Sequence, residues 1–464
     1  MQVASARRDG GTNRCVPRVT GRGSAPFYYA AFLHSPPLRH AIAVTLPGVV
    51  LHRPAVLTRV PPTSARGAIT HGTASKIAMT AQGNWGTLRA LSCLSAFSNV
   101  ITMKRILLVL LGSLWLVAEW AAAAETYDYP LENKYVATVV GVPPEYRAKL
   151  PTDIPVKKRS ITIFPDRKVP DFLWYDAELR YSYVVQKGPA PLIFLIAGTG
   201  SPYNSAKNED MARAFYKAGF HVVSLSSPTY PNFIVAASKT GVPGHAFRDA
   251  EDLYRVMERI WDTLKDKIQV TDFYVTGYSL GGFNTAFVTL LDEKRQVFKF
   301  RKALLINPPV SLYSSISLLD RMLENIPGGV DNFPRFYNKL VEQVGRVYER
   351  SKSVDFDNEF LYQAFDAINP KSEELAALIG VSFRISSANL VFTSDLMTNF
   401  GFVKPKNVFF TRNSSPGDYG KVAMRVGFTD YYHDYFYPYY HALDPSVTRE
   451  QLIGEMSLAT IEDY

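Results

Sequence analysis

Tyr274-Val275-Thr276-Gly277-Tyr278-Ser279-Leu280-Gly281-Gly282-Phe283-Asn284-Thr285-Ala286-Phe287 carries the decision about this chain. Ile268–Thr276 is a β-prone apolar run and predicts a strand. Leu280–Leu291 predicts a helix, because Phe283, Ala286, Phe287 and Leu290 recur on one face. Between them lies G-x-S-x-G, with Gly277 and Gly281 on either side of Ser279. A strand that turns straight into a helix leaves no room for a Cβ at the flanking positions, which is what glycine supplies there. Such a turn lifts the Ser279 hydroxyl above the sheet. It also aims the helix N-terminus at that hydroxyl, where negative charge is stabilised as it develops.

Outward from this turn the pattern is regular. Lys158–Phe164, Leu179–Val185, Leu192–Ile196, His221–Leu225 and Lys302–Ile306 read as further strands, and Asp210–Ala218 and Ala246–Lys265 as helices between them. Alternating strands and helices with apolar strands predict an α/β fold, a mostly parallel sheet covered on both faces. Leu192–Ile196 runs into Ala197-Gly198-Thr199-Gly200. This turn has no G-K-[ST] and does not complete G-x-G-x-x-G, so it is no nucleotide loop.

With these two turns, residues 158–309 resemble the α/β-hydrolase superfamily. The resemblance implies Ser279 as catalytic nucleophile and an oxyanion hole made of two backbone N–H groups, one from Leu280 and one from Thr199. Gly198 and Gly200 match the family's H-G-x-G-type turn, with Ala197 where His is common. Residues 125–309 are then the hydrolase core. Residues 310–464, with amphipathic segments at Ile316–Glu324, Arg335–Glu349 and Glu373–Ile379 and a Tyr/Phe-dense helical stretch at 428–440, form a helical lid or insertion.

The family order is Ser, then Asp or Glu, then His. Only His433 and His441 follow Ser279. Two readings stand. In one, 310–464 is lid, and the chain stops before the strands that carry acid and base. The end, Leu458–Tyr464, fits this as the middle of an uncapped helix, and the sheet then has an open edge at Lys302–Ile306. In the other, Leu390–Ser394 is the missing strand, Asp395 the acid and His433 the base. His221 and His245 precede the nucleophile and read as structural, with His245 a residue that could border the pocket. No clustered carboxylates or H-E-x-x-H motif points to a metal, and no cofactor is expected.

Charge and cysteine are unevenly spread. The chain carries 51 Lys+Arg and 42 Asp+Glu, a net charge of +9; residues 1–102 alone hold 11 basic residues and one acid, Asp9, so the rest is close to neutral. A basic balance confined to this stretch excludes a nucleic-acid-binding role for the body. Forty-seven per cent apolar and 13% aromatic residues exclude disorder for its bulk. Both cysteines, Cys15 and Cys93, also lie before residue 103, so the body contains no disulfide or thiolate metal site.

Residues 103–124 read as a signal peptide: Met103-Lys104-Arg105, an apolar run from Ile106, then small residues at Ala121–Ala124, with cleavage before Glu125. Residues 1–102 then form an unstructured basic leader ahead of a second start at Met103. The whole predicts a periplasmic or secreted serine hydrolase that cleaves an ester or related acyl bond of a small or lipid-like substrate and meets the membrane only through its signal peptide. A serine peptidase of the same fold, and a non-catalytic binding protein on a hydrolase scaffold, are the alternatives.

Overall fold

The computed structural model describes residues 42–44, 129–350, 365–462 and 464. The signal peptide read at 103–124 lies outside them.

Alternation within the central strand organises the fold. In Ala190–Ile196 (β4), Leu192, Phe194 and Ile196 enter one buried cluster and Ile193 and Leu195 another. Successive side chains of a strand point to opposite faces, so both faces need a cover. Helix α2 (Ala206–Lys217) covers one with Met211, Ala212 and Phe215. Helices α4 (Ala246–Leu264) and α5 (Leu280–Arg295) cover the other with residues including Leu253, Val256, Ile260, Phe283 and Phe287.

The sheet has seven strands. Numbered along the chain, they are β1 (Ile42–Val44), β2 (Lys157–Ile161), β3 (Leu179–Val184), β4, β5 (His221–Leu225), β6 (Val270–Tyr278) and β7 (Lys302–Ile306). Their spatial order is β1-β7-β6-β4-β5-β3-β2. All neighbours are parallel except at β3, which runs antiparallel to both β2 and β5. The strands expected from the sequence are present, shifted by at most three residues at their ends. The expected open edge at β7 is covered: Ile42–Val44 pairs with Leu304–Ile306 in parallel register. These three residues come from the stretch read as leader. An unpaired edge offers a free row of N–H and C=O groups, and a β-branched segment such as Ile-Ala-Val suits it.

After β7 the described regular elements are helices joined by loops. The longer helices are α6 (Leu312–Arg321), α7 (Phe333–Arg350) and α8 (Ser372–Thr398), which follow the short α1 (Lys134–Val140) and α3 (Pro231–Ala236) of the core half. Residues 428–443 form one helical run with a π-helical turn at Tyr431–Phe436, in which Tyr431, Tyr432, Tyr435 and Phe436 are buried. Leu390–Ser394, read alternatively as a strand, lies inside α8. Its apolar run was too short for periodicity to separate strand from buried helix. Helix α8 is long and apolar enough to cross a membrane by length and composition, yet more than half of that span is buried against the rest of the protein. Leu458–Ile461 is a short 3-10 turn rather than mid-helix, and the Ser457 side chain caps it by accepting from the Ala459 N–H.

Candidate active site

Register brings the two glycine turns together. Ile196 is paired with Leu225 on one side and Gly277 on the other, and Tyr278 with Ile306. The turns after β4, β5, β6 and β7 therefore open at the same end of the sheet. Helix α2 leaves β4 for one face and α5 leaves β6 for the other, which opens a crevice at the carboxyl ends of these two strands.

Ser279 sits in that crevice with φ 54° and ψ −126°. A non-glycine residue held there costs ~1–3 kcal/mol, and such strain persists only where the surroundings fix it. Here they do. The Ser279 N–H donates to the Ile306 carbonyl (2.9 Å), and the Phe283 N–H donates to the Ser279 carbonyl (3.1 Å). Leu280 is buried in the main core. The flanking glycines are required by space. A Cβ on Gly277 would collide with the Gly281 backbone, and one on Gly281 with the carbonyl oxygens of Ile196 and Ala197. The Ser279 side chain does not cap its own helix, so its hydroxyl is left for other chemistry.

Two N–H groups at this end of the sheet are without acceptors among the described residues. Leu280 is the first residue of α5, so its N–H has no acceptor within the helix. In the turn after β4, the Gly200 N–H donates to Thr229 Oγ1 (2.8 Å) and the Ser201 N–H to the Gly198 carbonyl (3.0 Å). The Gly198 N–H hydrogen-bonds the Tyr278 side chain. Among the described residues nothing accepts from the Thr199 N–H. The turn thus presents one uncommitted donor, at the residue expected to supply it.

Beneath this turn lies a buried polar patch that no sequence pattern singles out. Tyr278 Oη donates to Ser201 Oγ (3.4 Å), and burial raises its pKa. The Lys207 ammonium lies 5.2 Å from the centre of the Tyr278 ring, and burial holds its pKa well below the ordinary lysine value. Above the turn passes α8: a Cβ on Gly200 would fall 2.8 Å from Ser386 Oγ.

The in-chain triad read from the sequence is not assembled. Asp395 is 1% exposed, and its two oxygens accept four backbone N–H groups, from Gly401 and Phe402 on one and Val403 and Lys404 on the other. It ties the chain back after the last turn of α8. His433 is also spent. Arg449 donates to its Nδ1 (2.8 Å), which leaves the proton on Nε2 to be donated to Tyr313 Oη (2.9 Å). Asp395 and His433 make these bonds with other groups and none with each other or with Ser279.

Each of the other described histidines also has a partner away from Ser279. His221 accepts from the Gln186 N–H at Nδ1 and donates from Nε2 to the Gln269 carbonyl. It is paired with Leu192, four residues down β4 from the Ile196–Gly277 pair, about 13 Å along the strand from the site end. His441 bonds the Val447 carbonyl. His245 places Nε2 3.3 Å from Glu455 and packs its ring against Tyr440, while its buried Nδ1 has no partner among the described residues. Burial lowers its pKa, against the opposing pull of Glu455.

The sheet order, the antiparallel β3 and the strained serine turn give the α/β arrangement that the resemblance to the α/β-hydrolase superfamily implies. No family model and no curated protein sequence matches the chain. Among solved structures it is similar to the acylaminoacyl peptidase of Pyrococcus horikoshii (15% identity, TM-score 0.25, covering 35% of this chain and 25% of that one). It is also similar to Est1E from Butyrivibrio proteoclasticus (15%, 0.23, 31% and 51%) and to the Pyrococcus furiosus esterase Pf2001 (14%, 0.26, 36% and 55%). The matched part spans between a quarter and about half of the length of these structures.

Proposed function

We propose that this protein is an exported serine hydrolase that cleaves an ester or related acyl bond through an acyl-enzyme on Ser279. The observation that carries the reading is the strained serine at the helix N-terminus, its hydroxyl and the Leu280 and Thr199 N–H groups all without a hydrogen-bond partner among the described residues. In the reaction, Ser279 Oγ attacks the acyl carbon and loses its proton to a base. The Leu280 and Thr199 N–H groups hold the oxyanion of the tetrahedral intermediate, and the leaving group departs with a proton. Water then resolves the ester formed on Ser279. Among the described residues no histidine hydrogen-bonds Ser279.

A non-catalytic scaffold is the competing reading, and it is favoured by the same commitment of every described histidine to other partners. Pre-steady-state hydrolysis of p-nitrophenyl acetate by the full protein separates the two. The proposal expects a burst of p-nitrophenol approaching one equivalent, with the acetyl group recovered on the Ser279 peptide. Stoichiometric substrate binding with no burst and no acetyl-serine would favour the scaffold.

A further inference from the structure

We propose that Thr229, with Ser227, is a positioning residue for the oxyanion hole. The inference rests on Ser279 being the nucleophile and Thr199 a donor, and it adds what keeps that donor aimed.

The turn after β5 reads Ser226-Ser227-Pro228-Thr229. Its three hydroxyl residues are 0%, 0% and 5% exposed. Burying a hydroxyl costs free energy unless it is paired, and apolar side chains would fill the same space without that cost. The Thr229 and Ser226 hydroxyls bond the segment 200–203 directly, and the Ser227 hydroxyl bonds Thr229. Thr229 Oγ1 accepts the Gly200 N–H (2.8 Å) and shares a proton with Ser227 Oγ (2.9 Å). The Ser227 N–H donates to the Ser201 carbonyl (3.0 Å), and Ser226 Oγ accepts the Tyr203 N–H (2.9 Å).

Gly200 has φ +64°, a conformation that frees the turn to rotate unless something holds it. The Thr199 N–H lies in the peptide plane between Gly198 and Thr199, whose carbonyl accepts the Ser201 N–H (3.0 Å), and the bond to Thr229 holds the next plane, between Thr199 and Gly200, so that the two planes flanking Thr199 are both anchored and its N–H keeps its direction. It also commits the Gly200 N–H, leaving Thr199 as the donor that this turn contributes beside Leu280. On the other side Ser386 of α8 closes the space that a rotated turn would need. The oxyanion turn is held between a hydroxyl cluster and a helix. A displaced donor costs as a missing one does, because about 1 Å of misplacement lowers rate by ~10²-fold.

The test compares Thr229→Val, which keeps the shape and removes the acceptor, with Thr229→Ser, which restores it. Steady-state ester hydrolysis and the rate of fluorophosphonate labelling are measured on the full protein, with thermal melts alongside. Thr229→Val is expected to lower kcat and labelling by ~10–10²-fold with KM within about twofold, and Thr229→Ser to recover to within about threefold of wild type. A folded Thr229→Val with wild-type kcat overturns the proposal, as does an equal loss in Thr229→Ser, which would mark packing rather than the acceptor. Should Thr229→Val fail to fold, Ser227→Ala decides: a loss of about 3–10-fold in kcat at constant KM supports the proposal, and unchanged kcat overturns it. A wild type that does not label at Ser279 removes the underlying reading and the proposal together, whereas a labelled wild type with an unmoved Thr229→Val removes the proposal alone.

Discussion

The two halves of the molecule use buried polar groups differently. Between Lys157 and Ile306, the polar side chains at the strand tips shape turns: Thr229 and Ser226 hold the segment after β4, and the Ser279 hydroxyl is left over. From Leu312 onward they fasten helices to one another. Asp395 gathers four N–H groups, His433 joins Tyr313 to Arg449, and Asp320 accepts from the Phe428 and Thr429 N–H groups and from the Thr429 hydroxyl. A carboxylate and a histidine downstream of a nucleophile look catalytic by order alone. What separates a catalytic group from a structural one is whether its lone pairs and protons are already taken.

The largest effect that sharpens this contrast is at a turn of the first half. Gly281→Ala drives a methyl group into the carbonyls of Ile196 and Ala197, neither of which can yield without breaking the sheet. It is expected to cost about 3–5 kcal/mol or to abolish folding, read by chemical denaturation. A stable, fully active Gly281→Ala would break the account of the elbow.

Next come the two residues of the rejected triad. Asp395→Asn leaves one oxygen to accept where two accepted four bonds, and it is expected to cost ~1.5–3 kcal/mol. His433→Ala loses two bonds and is expected to cost ~1–2 kcal/mol. In both, fluorophosphonate labelling of the folded fraction should stay within about twofold of wild type. A fall of ~10²-fold or more would restore the triad reading.

A smaller effect depends on pH. His245 is buried beside Glu455, and its pKa in the folded state lies below its ordinary value of 6.5. As pH falls through 6.5, the unfolded chain takes up a proton that the folded chain refuses. The stability from this group is therefore complete above about pH 6.5 and declines toward the folded pKa. Melting temperatures of wild type and His245→Gln should converge as the pH is lowered through that window. Parallel curves would contradict it.

The smallest effect lies in the second half. Gly454 in the helix Arg449–Glu455 has open space around its missing Cβ. Gly454→Ala should stabilise by ~0.5–1 kcal/mol. Destabilisation would show that this helix, like the elbow, is held by close approach.

The first half was legible because its signals are local and periodic. Leu192–Ile196 and His221–Leu225 are buried runs bounded by turns, and Ser279 is framed by glycines whose steric reason is visible in the motif itself. Thr199 was singled out by the resemblance of its turn after β4 to the family's glycine turn. The second half misled for physical reasons. A five-residue apolar run such as Leu390–Ser394 carries no period that separates strand from buried helix, and Asp395 shows its role only once the loop 401–404 folds back onto it. Thr229 and Lys207 gave no signal, because their partners are distant in sequence. Ile42–Val44 pairs with a strand some 260 residues away, a contact that no local pattern encodes.

The central claim is that the strained serine of the elbow is the reactive group, and covalent labelling tests it most directly. The full protein is treated with a fluorophosphonate, digested and mapped by mass spectrometry, with a Ser279→Ala variant of matching circular dichroism in parallel. The account predicts a single labelled residue, Ser279, and no label in the variant. Label on another residue, label that persists in Ser279→Ala, or a folded wild type that takes up none would contradict it.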